Sequence, residues 1–154
     1  MSVELARTYQ ICAEHTAYLL DQLSEEQLDV KLPKGQGVRA TFRHIYTVRR
    51  MWLEQFNKAK WSEALPKWDK NYKVTTEDLR QALEVSKQAW IEEFTNWEPD
   101  KKKSSKSASD QLGYLVAHES YHWAMIEIAL RHAECELSQS QSYSLWEWGK
   151  TRNR

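Results

Sequence analysis

The chain has 154 residues, with Lys plus Arg equal to Asp plus Glu at 22 each and only two cysteines. That length is one domain, 1–154, with enough core to fold without a disulfide framework or structural metal. The charge balance excludes the positive field that draws nucleic acid or an anionic membrane.

Nowhere do about 18 apolar residues follow one another, and residues 1–5 lack a basic segment leading into an apolar run. A cytoplasmic protein is expected. Cys12 and Cys135 fall in separate helical segments without Cys-x-x-Cys spacing, so they read as reduced packing residues. Eight Trp and seven Tyr supply the buried area that the modest aliphatic content does not.

The first helix is predicted over about residues 3–23, with Leu5, Tyr9, Ala13, Thr16, Leu20 and Leu23 on one face. Pro33, Gly35 and Gly37 punctuate the connection that follows. The second helix is predicted from Thr41, as N-cap, to about residue 58, through Phe42, Ile45, Val48, Trp52 and Phe56. A long loop with Trp61, Pro66 and Trp68 comes next.

Thr75-Thr76-Glu77-Asp78 is an acidic capping box opening the third helix, whose stripe is Leu79, Leu83, Ser86, Trp90, Phe94 and Trp97, with Pro99 as its stop. Residues 100–106 read as a solvated linker. Ser107-Ala108-Ser109-Asp110 caps the fourth helix, which runs to about Glu134. The tail from Leu137 to Arg154 carries Tyr143, Leu145, Trp146 and Trp148, too many rings for a free end, and should pack on the bundle or on a second subunit. Four long helices without strand alternation make an all-α four-helix bundle with long connections.

Chemistry concentrates in His118-Glu119-Ser120-Tyr121-His122. Residues four apart stand one above the other on a helix, so both imidazoles reach one point. At about 100° per residue, they fall mid-arc among Leu115, Met125, Ile126 and Ala129. Such a pair inside a bundle is neutralised, hydrogen-bonded or coordinated to a shared metal. The same residues fit the His-Glu-x-x-His signature of zinc proteases, but this chain offers no strand to align a peptide beside it. Glu119 falls at the flank of the arc, where it can support a ligand, pair with an Arg or face water.

For a third ligand, His44 is best placed, at the edge of the second helix's apolar arc. His15 reads as a partly exposed residue on the flank of its helix. His132 is ten residues beyond His122, about 15 Å along the axis, too far to share an ion.

A histidine early in the second helix, within Thr41-Phe42-Arg43-His44-Ile45-Tyr46-Thr47-Val48-Arg49-Arg50-Met51-Trp52, followed far downstream by His118-x-x-x-His122, resembles the DinB-like (YfiT-like) family of metal-binding four-helix bundles over roughly residues 1–135. The resemblance implies a metal site on His44, His118 and His122, with zinc or nickel as the divalent ion, and commonly a homodimer. It also implies, from relatives that are thiol transferases or isomerases, a small-molecule substrate and a low-molecular-weight thiol such as bacillithiol or mycothiol. The family's name implies no DNA binding.

Three protein ligands leave a fourth position for water or substrate. A metal there can activate water or bind a thiol as thiolate, and the resemblance implies the second: attack of a metal-bound thiolate on an electrophilic small molecule, with Glu119 and Tyr121 as candidates to support the ligands and no acid or base assigned. Two rivals use the same residues: a non-catalytic dimeric interaction protein, and a metal-dependent hydrolase of a small amide or ester.

Overall fold

The computed structural model describes residues 2–98 and 107–150. The expected Pro99 stop, the 100–106 linker and the last four tail residues lie outside the described residues. Four long helices dominate: α1 (Ser2–Asp21), α3 (Val38–Phe56), α5 (Thr76–Thr95) and α6 (Ala108–His132). Three short ones, α2 (Glu25–Leu28), α4 (Lys58–Ala64) and α7 (Gln139–Ser144), lie in the connections and the tail. No strand occurs among the described residues, and no described helix is long and apolar enough to cross a membrane.

The capping chemistry read from the sequence fixes two helix starts. Thr75 and Ser107 each accept from the backbone N–H three residues on, while Asp78 and Asp110 reach back to the cap, so the first orphan donors are satisfied. The start of α3 differs from expectation. The helix begins at Val38, and Thr41 lies inside it, its hydroxyl donating to the Gly37 carbonyl at 3.0 Å. The chain enters α3 by an anchored neck instead: the Val38 N–H donates to the Val30 carbonyl at 3.0 Å. A β-carbon on Gly37 would stand 2.9 Å from that carbonyl, so only glycine allows this approach.

Each of α1 and α3 packs against both α5 and α6, which sets α1 diagonally from α3 and α5 diagonally from α6. Two apolar clusters divide the bundle lengthwise. One holds Leu19, Phe42, Leu79 and Ile126; the other holds Tyr9, Leu53, Trp90 and Leu115. The order in which each helix meets them gives its direction: α1 and α6 run one way, α3 and α5 the other.

Because α3 and α5 run parallel, the chain must return the length of the bundle between them. The expected loop over 61–72 is this return, and its first part is helical, since Asn57 caps α4 with its side chain. Trp61 and Leu65 of this segment enter one cluster and Val74 the other. Arg43 clasps it by donating to the carbonyls of Trp68, Asp69 and Tyr72, and the Tyr46 hydroxyl donates to that of Pro66. The rings of this crossover are therefore core and strap. The tail also packs on the bundle: Leu137 and Leu145 are buried, and Trp148 stacks on His15 at 5.3 Å between centroids.

Candidate metal centre

Between the two apolar clusters lies one polar layer with a member from each long helix: Thr16 of α1, Arg49 of α3, Ser86 of α5 and Glu119 of α6, none more than 1% exposed. Arg49 grips Glu119 through two parallel bonds, Nε to Oε1 at 2.8 Å and Nη2 to Oε2 at 2.6 Å. Its other nitrogen donates to the Leu83 carbonyl and the Ser86 hydroxyl. Thr16 donates to Glu119 and accepts from the Trp123 indole N–H at 2.8 Å. A buried ion pair persists only when its remaining donors and acceptors are satisfied in this way. The adjacent carboxylate holds Arg49 charged despite burial, whereas burial, against the opposing charge of Arg49 and with a smaller push from Glu119, drives the Tyr9 hydroxyl well up.

This layer sets the rotation of α6. With Leu115, Glu119, Trp123 and Ile126 in the interior, His118 and His122 emerge at the seam with α3, half-buried. The expectation that they stand mid-arc is corrected by this amount. The buried arc is centred on Glu119, which hydropathy reads as a surface residue because its compensating cation lies 70 residues away.

His44 meets them across the seam. His118 Nε2 is 3.3 Å from His44 Nε2 and 3.1 Å from His122 Nε2, and the three ligand atoms lie within 4.8 Å of one another. Tetrahedral coordination with bonds of 2.0–2.1 Å sets donor atoms about 3.3–3.4 Å apart, so both separations from His118 match a shared ion, with His44 and His122 converging on the same point from within 4.8 Å. Hydrogen bonding fits less well, because a neutral Nε2 has either one proton or one lone pair and His118 faces two partners. Tyr114 stacks on His118, and Tyr121, 63% exposed, presents its ring to the edge of His122.

Burial, reinforced by the neighbouring imidazoles, lowers the basicity of both α6 histidines, and His122 is pushed down to about 4. Both are therefore neutral at pH 7, the form that binds metal. Because the unfolded chain takes up the His122 proton near pH 6.5 and the folded chain only near 4, acid favours unfolding. The metal-free protein is expected to lose stability from about pH 6.5 down to 4, with no further loss from His122 below that. A proton NMR titration of the metal-free protein checks this: a His122 midpoint at 6 or above contradicts it.

Of the other candidates, Tyr121 touches the centre, whereas Glu119 bonds to Arg49 and Thr16 and acts on His118 and His122 through its charge. His15 is buried rather than partly exposed, stacked between Trp123 and Trp148, because the tail closes over it. His132 is exposed at the end of α6. Arg49 was not foreseen, although Phe42, Ile45, Arg49 and Leu53 keep a three- and four-residue rhythm that marks position 49 as interior.

A helical bundle whose second and last long helices bring three imidazole nitrogens to one point defines a class: bundles with a three-histidine site able to hold one metal ion. The sequence model of the DinB superfamily matches residues 8–126, and the chain belongs to that superfamily. The matched range contains all three histidines and the polar layer but stops before α7. No curated protein and no solved structure matches the chain.

Proposed function

We propose that this chain is a metal-dependent thiol transferase for small molecules, with one zinc or nickel ion on His44, His118 and His122. The observation that carries this reading is the confinement of Glu119. As the motif glutamate of a hydrolase it would have to reach a water beside the ion. Here it is buried and committed to Arg49 and Thr16. The group of candidate ligands is three imidazoles with no carboxylate, which suits a reaction that needs no side-chain general base. A divalent ion in such a site stabilises a bound thiol as thiolate at neutral pH. The histidines would hold that ion, and Tyr114 and Tyr121 brace the rings of His118 and His122.

The test is turnover of an electrophile such as monobromobimane by the zinc- or nickel-loaded protein, with and without a low-molecular-weight thiol. Thiol-dependent turnover lost in His44→Ala supports transfer. Turnover of esters that is indifferent to thiol replaces it with hydrolysis.

The dimer reading finds support in Tyr143 and Trp146, 70% and 82% exposed on and just after α7. Large rings in that position are favoured at protein contacts. Trp146→Glu is expected to convert a sedimenting dimer into a monomer, and a parent that is monomeric at tens of micromolar refutes the proposal.

A further inference from the structure

Beside the three histidines, a cavity of about 150 Å³ opens between α6, the start of α3 and the loop before it. His122 lines it, so the cavity and the candidate metal centre share a wall. The rest is mainly Leu32, Val38, Met125, Ile126 and Ala129. No Asp, Glu, Lys or Arg is among its lining residues. Its polar members besides His122 are the uncharged Gln36, Thr41 and Tyr121, and the hydroxyl proton of Thr41 is already given to Gly37.

The outer wall is held in place. Leu32 sits on a loop whose neck is the bond from Val38 to Val30 and the close approach of Gly37. Gly35 turns the loop with φ 109°, a conformation natural to glycine. The pocket is thus preformed, which spares a ligand the cost of ordering it.

Size and polarity select the occupant. A pocket of about 150 Å³ has room for a benzene-sized molecule, whereas a carboxylate or ammonium seated against its apolar wall would shed part of its hydration with no counter-charge. We infer that this cavity is the subsite for a small uncharged apolar group, phenyl or branched alkyl, on the substrate that engages the three-histidine centre. A thiol cosubstrate bearing carboxylates lies elsewhere. The inference rests on the metal reading for the role of the centre, while occupancy of the cavity is measurable without metal.

Two titrations test it. Toluene is added to metal-free protein and followed by the methyl resonance of Met125; benzyl mercaptan and 2-mercaptoethanol are added to cobalt-loaded protein and followed by the visible spectrum. Toluene is expected to shift Met125 saturably, and benzyl mercaptan to bind about tenfold or more tighter than 2-mercaptoethanol. Both effects should vanish in Ala129→Phe, which fills the cavity, and the thiol preference should fall in Leu32→Ala, which opens its wall from the half-buried rim of the core. No saturable shift, equal affinity for the two thiols, or a preference that survives both substitutions overturns the inference. A protein that takes up no cobalt while toluene still shifts Met125 refutes the metal reading, and the link to the centre with it. Cobalt bound without thiol preference refutes the subsite alone.

Discussion

Replacing Glu119 with alanine is expected to destabilise the metal-free protein by about 3–5 kcal/mol, the usual cost of leaving one partner of a buried ion pair uncompensated. Arg49 is 1% exposed and cannot turn to water without tearing α3 from α5 and α6. The Thr16 hydroxyl loses its acceptor in the same step, adding an unmade bond in the interior. Against a total stability of about 5–15 kcal/mol for a domain of this kind, such a loss brings the chain close to unfolding.

The informative comparison is with two other variants. Glu119→Gln keeps the shape and one acceptor oxygen but not the charge, and should fall between parent and alanine. The double replacement Arg49→Met with Glu119→Leu removes both charges and should recover most of the loss, since apolar residues of similar volume often replace a buried pair at little or no cost. Urea midpoints at unchanged slope measure all three. A stable Glu119→Ala protein that retains its metal but has lost turnover would make Glu119 a working base and restore the hydrolase reading.

The same pair shows where the sequence was legible and where it was not. Helix periodicity and capping boxes foretold four long helices because each depends on neighbours three or four residues away. His118 and His122 were visible for that reason, and His44 because it keeps to the edge of an apolar arc. Glu119 and Arg49 obey the same rhythm, but their charges disguise it. Burial of either makes sense only with the other, and 70 residues separate them. The crossover was opaque for a related reason. Its rings are explained by the parallel run of α3 and α5, a fact of topology that no local pattern expresses, and by the carbonyl contacts of Arg43. The start of α3 was misplaced because Thr41 has the side chain of a cap, whereas the chain is held by a backbone bond from Val38 to Val30.

The second large effect is expected on metal affinity. Parent protein purified without a histidine tag should carry about one zinc or nickel per chain, and His118→Ala less than a tenth of that. Loss of residues that merely orient ligands lowers affinity about 10–100-fold, and loss of a ligand should exceed this range. His118 is the severest deletion of the three because it is the one whose Nε2 approaches both others, at 3.3 and 3.1 Å. Its side chain is half-buried at a helix seam, so the metal-free variant should remain folded, which separates lost binding from lost structure.

Thermal unfolding gives the independent reading. Zinc at about 100 times its dissociation constant adds roughly 2.7 kcal/mol to the native state, a rise of about 5–10 °C for a domain near 150 residues. His118→Ala should show no such rise, and His132→Ala, exposed on the same helix, should behave as the parent. If His132→Ala loses metal equally, binding is unspecific to the cluster. If the folded parent neither carries nor takes up metal, three imidazoles converge without a ligand, and the interaction-protein reading becomes the better account of this bundle.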